Sequence, residues 1–146
     1  MNDVLNGISS LDNLLQRLGE DYIFFEKNLF GLANHFSENY NGAVWESNTL
    51  LNEEGLLKNG FYVSINNNKK YIIRNSPNQL NFNSLESKTF SVIVFAMATT
   101  LVGNRLYDLG KEDSANILFE LFYFTKDNIN NILDKEEVKK FYSFID

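Results

Sequence analysis

Residues 60–74 read Gly-Phe-Tyr-Val-Ser-Ile-Asn-Asn-Asn-Lys-Lys-Tyr-Ile-Ile-Arg, and this stretch decides the fold class that we predict. Two runs rich in β-branched and aromatic residues, 60–65 and 70–74, flank Asn66-Asn67-Asn68. Asn tolerates positive φ better than other non-glycine residues, and tight hairpin turns need it. We therefore predict two antiparallel strands joined by a hairpin turn, with a further strand starting at Ala43-Val44-Trp45.

Helical patterns lie on both sides of this predicted sheet. Residues 3–37 look helical because four leucines recur at helical spacing, with Gly19 as a stop and a second helix from Glu20-Asp21. Residues 84–146 look helical again, with a new helix near Asp113 and a last one marked by Asp134 and Glu137, a pair spaced like a capping box. The leucines are Leu11, Leu14, Leu15 and Leu18. The order predicts an α+β fold, a small antiparallel sheet of three to four strands flanked by N-terminal and C-terminal helices, in a single domain over residues 1–146.

The longest apolar run extends from Phe90 to Val102. A membrane span needs about 20 apolar residues. We therefore predict a central, buried helix that starts at a Ser84 or Ser87 cap and ends near Leu109, with Gly110 as its terminator.

Composition excludes several classes of protein. The chain has 146 residues, no Cys and one His, so disulfides, thiol nucleophiles, iron–sulfur clusters and multi-His metal centres are excluded within one chain. The N-terminus lacks a basic region followed by an apolar run, so we do not expect a signal peptide there. We expect a cytoplasmic protein without metal or cofactor.

The net charge of -6 argues against nucleic-acid binding. It belongs entirely to residues 1–60, and the basic cluster of Lys69, Lys70 and Arg74 is interpreted as a solvated turn and strand face. Nineteen acidic against thirteen basic residues is also too balanced for a DNA mimic.

No catalytic constellation is recognisable in the sequence. Phosphate-binding glycine motifs and a nucleophile elbow are absent, and the pairs Glu53-Glu54 and Glu136-Glu137 suit a polar loop and a helix start. His35 is interpreted as a capping or surface residue. We therefore do not expect an enzyme.

Aromatic residues are dense in the predicted sheet. Tyr40, Trp45, Phe61 and Tyr62 are candidate anchors for a partner protein, since Trp and Tyr dominate binding hot spots. Each is equally a candidate for the scaffold beneath such a surface, and the sequence leaves both roles open.

Four segments resemble the ArdB/KlcA antirestriction family over residues 36–146. Tyr40-Asn41-Gly42-Ala43-Val44-Trp45 is similar to its Tyr-x-Gly-Gly-x-Trp signature, and Asn59-Gly60-Phe61-Tyr62 to its Gly-Gly-Phe-Tyr strand. Ser84-Leu85-Glu86-Ser87 resembles its Ser-Ala-Asp-Ala helix start, and the helical C-terminus with Phe124 ends in Ile145-Asp146 as members do.

The chain also departs from that family. Each double glycine has lost one glycine, an insertion lies around Glu53-Gly55, and the acidic, Leu-rich residues 1–35 replace a basic, Pro-containing segment. These changes leave another bacterial defence system open as the target.

The resemblance implies a non-enzymatic protein of a plasmid, phage or integrated element that relieves type I restriction of unmodified DNA. It would act by protein contacts with the restriction–modification complex, with Glu46 and Asp146 as polar contacts beside the aromatic candidates. We expect neither sequence-specific nucleic-acid binding nor a membrane, and a monomer or homodimer. The alternatives are an inhibitor of another bacterial defence system, a partner-binding or immunity protein, and a small-molecule enzyme with a deep pocket near His35 or Glu86.

Overall fold

A computed structural model describes residues 3–6, 17–74 and 83–145 of the chain. The strands are β1 (Val4–Asn6), β2 (Val44–Asn48), β3 (Tyr62–Ile65), β4 (Lys70–Ile72) and β5 (Ser84–Glu86). The helices are α1 (Asp21–Phe36), α2 (Ser87–Asp108), α3 (Glu112–Asp127), α4 (Ile129–Ile132) and α5 (Lys135–Ile145). The α+β class is confirmed, and α1 precedes and the other helices follow strands β2 to β5, although β1 lies before the first helix.

The predicted hairpin is wrong, because β3 and β4 belong to different sheets. β3 pairs antiparallel with β2, with Trp45 opposite Ile65, and β4 pairs antiparallel with β5, with Tyr71 opposite Leu85. The turn Asn66-Asn67-Asn68 between them, which we call the asparagine turn, is hydrogen-bonded instead to the start of α2. The Ser87 hydroxyl donates to the Asn67 carbonyl at 2.7 Å and accepts from the Asn67 N–H at 3.2 Å. Two small sheets therefore replace the single sheet that we predicted.

The helix predicted from residue 3 is also wrong at its start. Residues 4–6 form β1, which runs parallel to β2 and makes the first sheet three-stranded in the order β1-β2-β3. Strand pairing with β2 supplies the backbone partners that a helix would have supplied internally. Leu18 is buried, whereas Leu11, Leu14 and Leu15 lie outside the described residues.

Helix α2 is the centre of the fold, as its apolar sequence predicts. It contacts β3, β5, α1, α3 and α5, and most of its side chains are buried. Among the described residues, α2 is the one helix that is long and apolar enough to cross a membrane. Most of it is buried inside the protein, which is typical of the core helix of a globular domain. The helix ends at Asp108, Leu109 follows as its C-cap, and Gly110 takes a positive φ of 82°.

Two predicted helix starts differ in detail. Ser84 lies in β5 and Ser87 bonds to the asparagine turn, so Glu86 takes the position before α2. At α5, the carboxylate of Glu137 accepts a hydrogen bond from the Thr89 hydroxyl, 3.0 Å away on α2. A tertiary contact therefore uses the side chain that we assigned to a capping pair.

Residues of every helix and of both sheets form one core. Its largest fully buried side chains are Trp45, Tyr71, Phe25, Phe90, Phe95, Phe141, Leu29, Ile65, Leu85, Leu106 and Leu118. Lys111 also joins the starts of α1 and α3 through an ion pair with Asp21 at 2.7 Å, and this hydrogen bond raises the pKa of Lys111.

Candidate functional site

The segment from Tyr40 to Trp45 is organised around the Asp3 carboxylate. The Tyr40 hydroxyl and the Ala43 N–H, the latter at 3.0 Å, both donate to Oδ1 of Asp3. The indole Nε1–H of Trp45 donates to the Tyr40 hydroxyl at 3.0 Å. Burial raises the pKa of the Asp3 carboxyl, although the hydrogen bond from Ala43 opposes this shift. This network ties β1 to the start of β2.

All four aromatic candidates are buried in the chain itself. The exposed fractions are 6% for Tyr40, 0% for Trp45, 8% for Phe61 and 5% for Tyr62. Burial raises the pKa of the Tyr62 hydroxyl. Three of the rings pack against other aromatic rings: Tyr40 on Tyr71 and Phe90, Trp45 on the partly buried Phe30, and Phe61 on Phe95. Side chains this deeply buried support a surface and do not form one.

The remaining candidate on these strands, Glu46, is exposed on the outer side of β2. Its Oε2 accepts a hydrogen bond from the Asn66 amide at 3.1 Å. Asn48 donates to the Ser64 hydroxyl at 3.0 Å, and this hydroxyl lies 3.2 Å from Oδ1 of Asn66. We call Glu46, Asn48 and Asn66 the polar strand face, and the buried Ser64 hydroxyl lies beneath it. Asp146, the last candidate, lies outside the described residues.

Two clefts flank the asparagine turn beside this face. One, of about 290 Å³, lies between the Asn41–Val44 segment and the turn, with Tyr71 and Lys69 in its wall. The other, of about 420 Å³, lies between the turn and the start of α2, where Glu86, Lys70 and Lys88 line it. The asparagine turn is therefore exposed to solvent at this surface, whereas the candidate aromatic rings are not.

The basic cluster is engaged in structural bonds. The Lys69 ammonium donates to the Asn39 carbonyl at 2.8 Å and lies 5.3 Å from the centre of the Tyr71 ring. Arg74 donates to the carbonyls of Asn34, at 2.8 Å, and His35, at 3.2 Å, at the end of α1. Our interpretation of these side chains as solvated was therefore incomplete, because two of them hold backbone carbonyls.

The residues considered for chemistry are dispersed. His35 is exposed in the last turn of α1, and the Glu53-Glu54 pair is exposed in the loop between β2 and β3. Glu137 is buried and also pairs with Lys140 at 2.8 Å, whereas Glu136 is exposed. Within residues 3–6, 17–74 and 83–145, His, Asp and Glu side chains form no group of three suited to a metal ion.

Sequence reasoning missed Asp3 and Asn66. A single Asp near the chain start has no local pattern that indicates a contact with a tyrosine 37 positions away. Asn66 was assigned to a hairpin turn, and only the true strand pairing places it beside Glu46.

Comparison with known proteins finds no relative: no family model, curated protein or solved structure matches the chain. The resemblance to antirestriction proteins therefore depends only on the residues quoted above.

Proposed function

We propose that the protein is a cytoplasmic, non-enzymatic antirestriction protein that relieves type I restriction of incoming unmodified DNA through protein contacts. The supporting observation is that two separate segments of the resemblance belong to one structural unit. Tyr40–Trp45 leads into β2, Asn59–Tyr62 leads into β3, and these strands pair with Asn48 opposite Tyr62. A shared set of buried aromatics at a strand pair is expected where a family keeps a common scaffold.

The contact surface that we propose on this scaffold is the polar strand face with the asparagine turn. Glu46 and Asn66 are exposed, and their mutual hydrogen bond holds both side chains in place. Polar groups ordered before binding lose less conformational entropy when a partner docks. The aromatic residues then act as the support that fixes the two strands.

Charge favours a protein partner over DNA. The excess of acidic residues lies in residues 1–60, which include β1, α1 and β2. Lys69 and Arg74 hold carbonyls near the end of α1 and so are less available to phosphates. DNA binders generally present a basic stripe, because phosphate contacts dominate their affinity.

The test is the plating efficiency of an unmodified phage on a type I-restricting host with and without this gene. We expect a rise of several orders of magnitude on that host. The same phage on a non-restricting host, and a modified phage on the restricting host, should plate equally with and without the gene. An unchanged efficiency despite soluble, folded protein would reject antirestriction of this type and favour another defence system as the target.

A second candidate, a small-molecule enzyme, has one observation in its favour. Glu86 lines the 420 Å³ cleft together with Lys70 and Lys88, and these groups converge on one space. Ser87, which is 4% exposed, is buried at its wall but is already bonded to the backbone of Asn67. Thermal-shift measurements with a panel of nucleotides and sugar phosphates test whether the cleft binds such a ligand. Saturable stabilisation by one of them would favour the enzyme. The absence of stabilisation by all of them would argue against it.

A further inference from the structure

The loop between β2 and β3 exposes three leucines. Within residues 49–60, which we call the leucine loop, Leu51, Leu56 and Leu57 are 60%, 60% and 68% exposed. Exposed apolar patches on the order of a few hundred Å² often mark interaction sites on soluble proteins. The exposure of these three leucines is not explained by packing within the fold and is typical of a binding surface.

Hydrogen bonds order the tip of this loop. Asn52 donates its N–H to the Leu56 carbonyl at 2.7 Å and accepts from the Gly55 N–H at 3.0 Å. Its side-chain oxygen accepts from the N–H groups of Glu54, at 2.9 Å, and Leu56, at 3.0 Å. Leu51 and Leu57 form an antiparallel bridge, so their side chains lie on the same side.

The base of the leucine loop is attached to the helical part of the protein. The Lys58 N–H donates to the Leu50 carbonyl at 2.8 Å, and the Lys58 ammonium donates to Oδ1 of Asn128 at 2.5 Å. Gly60 has a φ of 141°, and a Cβ there would lie 2.5 Å from the Phe124 ring. These contacts hold the leucine loop in one conformation on the protein surface. Its leucines would therefore lose little conformational entropy on binding a partner.

Charge at the tip indicates what kind of surface fits. Glu53 and Glu54 are exposed between Asn52 and Gly55, beside the leucines. Complementarity requires an apolar cleft for the leucines and a basic rim for the two carboxylates. The same carboxylates are repelled by anionic lipid headgroups, which argues against insertion into a membrane.

We propose that the leucine loop inserts into an apolar cleft with a basic rim on the type I restriction complex. The identity of this partner rests on the proposed function, whereas the chemistry of the cleft follows from the loop. An enzyme complex that holds DNA presents basic surface, so a basic rim fits that class of partner.

The test compares two triple substitutions. The loop variant carries Leu51→Ser, Leu56→Ser and Leu57→Ser. The matched control carries Ile23→Ser on α1, Leu101→Ser on α2 and Leu109→Ser just after α2, at side chains that are 61%, 51% and 57% exposed. Circular dichroism and thermal melting establish that both variants fold.

Plating efficiency and binding to purified type I restriction complex are then measured. We expect the loop variant to lose at least about tenfold in affinity and most of the relief, because apolar anchors dominate binding energy. The control should stay within about twofold of the wild type, as expected for surface changes outside a hot spot. Replacing Glu53 and Glu54 with Lys should slow association and weaken its salt dependence.

The outcomes separate this inference from the proposed function. If the wild-type protein relieves restriction and the loop variant relieves it equally, the leucine loop is not the contact and antirestriction stands. If the wild type gives no relief, a photo-crosslinker placed at position 56, with position 101 as control, tests the loop alone. An adduct to an apolar cleft with a basic rim on an identified protein supports the loop chemistry. A second copy of this chain as the adduct, no adduct, or binding to phosphatidylglycerol vesicles overturns it.

Discussion

Trp45 illustrates how burial assigns the role of a single residue. Its side chain is fully buried, packs against Phe30, and donates its indole N–H to Tyr40. Tyr40 in turn donates to Asp3, so the Tyr40–Trp45 segment is bonded to a residue 37 positions before Tyr40. The sequence left Trp45 as either a contact or a scaffold residue, and its exposure of 0% is compatible only with the scaffold.

We expect Trp45→Phe to lower the free energy of unfolding by about 2 kcal/mol, because a cavity forms and the Tyr40 hydroxyl loses its donor. Urea denaturation measures this change. Tyr123→Phe, at a side chain that is 59% exposed, is the control and should leave stability unchanged. Trp45→Phe protein that remains folded should retain antirestriction, whereas normal stability with lost activity would contradict the scaffold role.

Close approach between elements depends on glycine at one helix contact. Gly103 lies on α2 where α3 crosses it, and a Cβ there would lie 2.6 Å from Cε1 of Phe119. Gly31 on α1 has open space around it, with no atom within 4 Å of such a Cβ. The two helical glycines therefore have opposite requirements, although both look alike as isolated Gly residues in helical patterns.

We expect Gly103→Ala to destabilise the protein by about 1–3 kcal/mol, because the Phe119 ring or the helix must shift. Gly31→Ala should stabilise it by about 0.5–1 kcal/mol, since Ala is the better helix former. Thermal and urea unfolding of both variants measure these effects. Stabilisation by Gly103→Ala as well as by Gly31→Ala would show that α2 and α3 do not pack as closely as described.

The molecule as a whole is assembled around α2, and one polar contact joins it to the C-terminal helix. Thr89 is fully buried on α2 and donates to Glu137, which is 7% exposed on α5. The other carboxylate oxygen of Glu137 pairs with Lys140, and this hydrogen bond raises the pKa of Lys140. Both oxygens of the buried carboxylate thus have a partner: Thr89, which lies 48 positions before Glu137, and Lys140, three positions after it.

We expect Thr89→Val to cost about 1–2 kcal/mol, because the isosteric change leaves a buried carboxylate oxygen without its donor. Glu137→Gln keeps an oxygen for Thr89 and loses only the pair with the partly exposed Lys140, so it should cost less than about 1 kcal/mol. Chemical denaturation at neutral pH compares the two. A larger loss for Glu137→Gln would mean that the ion pair, rather than the hydroxyl contact, holds α5.

Most elements of this fold were predictable from local patterns. The α1 start at Asp21, the long apolar α2 with Gly110 after it, and the strands around Trp45, Val63 and Tyr71 all follow from residue periodicity and terminator residues. The spacing of apolar residues can be recognised within a few helical turns or a few strand residues, so these elements can be predicted from short stretches of sequence. The candidate aromatic residues were found in the same way.

Pairing partners and side-chain roles were decided by the tertiary structure alone. A strand satisfies its backbone groups with any neighbouring strand, so residues 60–74 carry no signal that β3 pairs with β2 and β4 with β5. Tyr40 packs against Phe90, Trp45 against Phe30 and Phe61 against Phe95, and none of these contacts is encoded in the local sequence of the strands. Local patterns therefore determine most elements, although β1 and β5 form through pairing with distant strands. Long-range packing determines which residues remain at the surface to meet a partner.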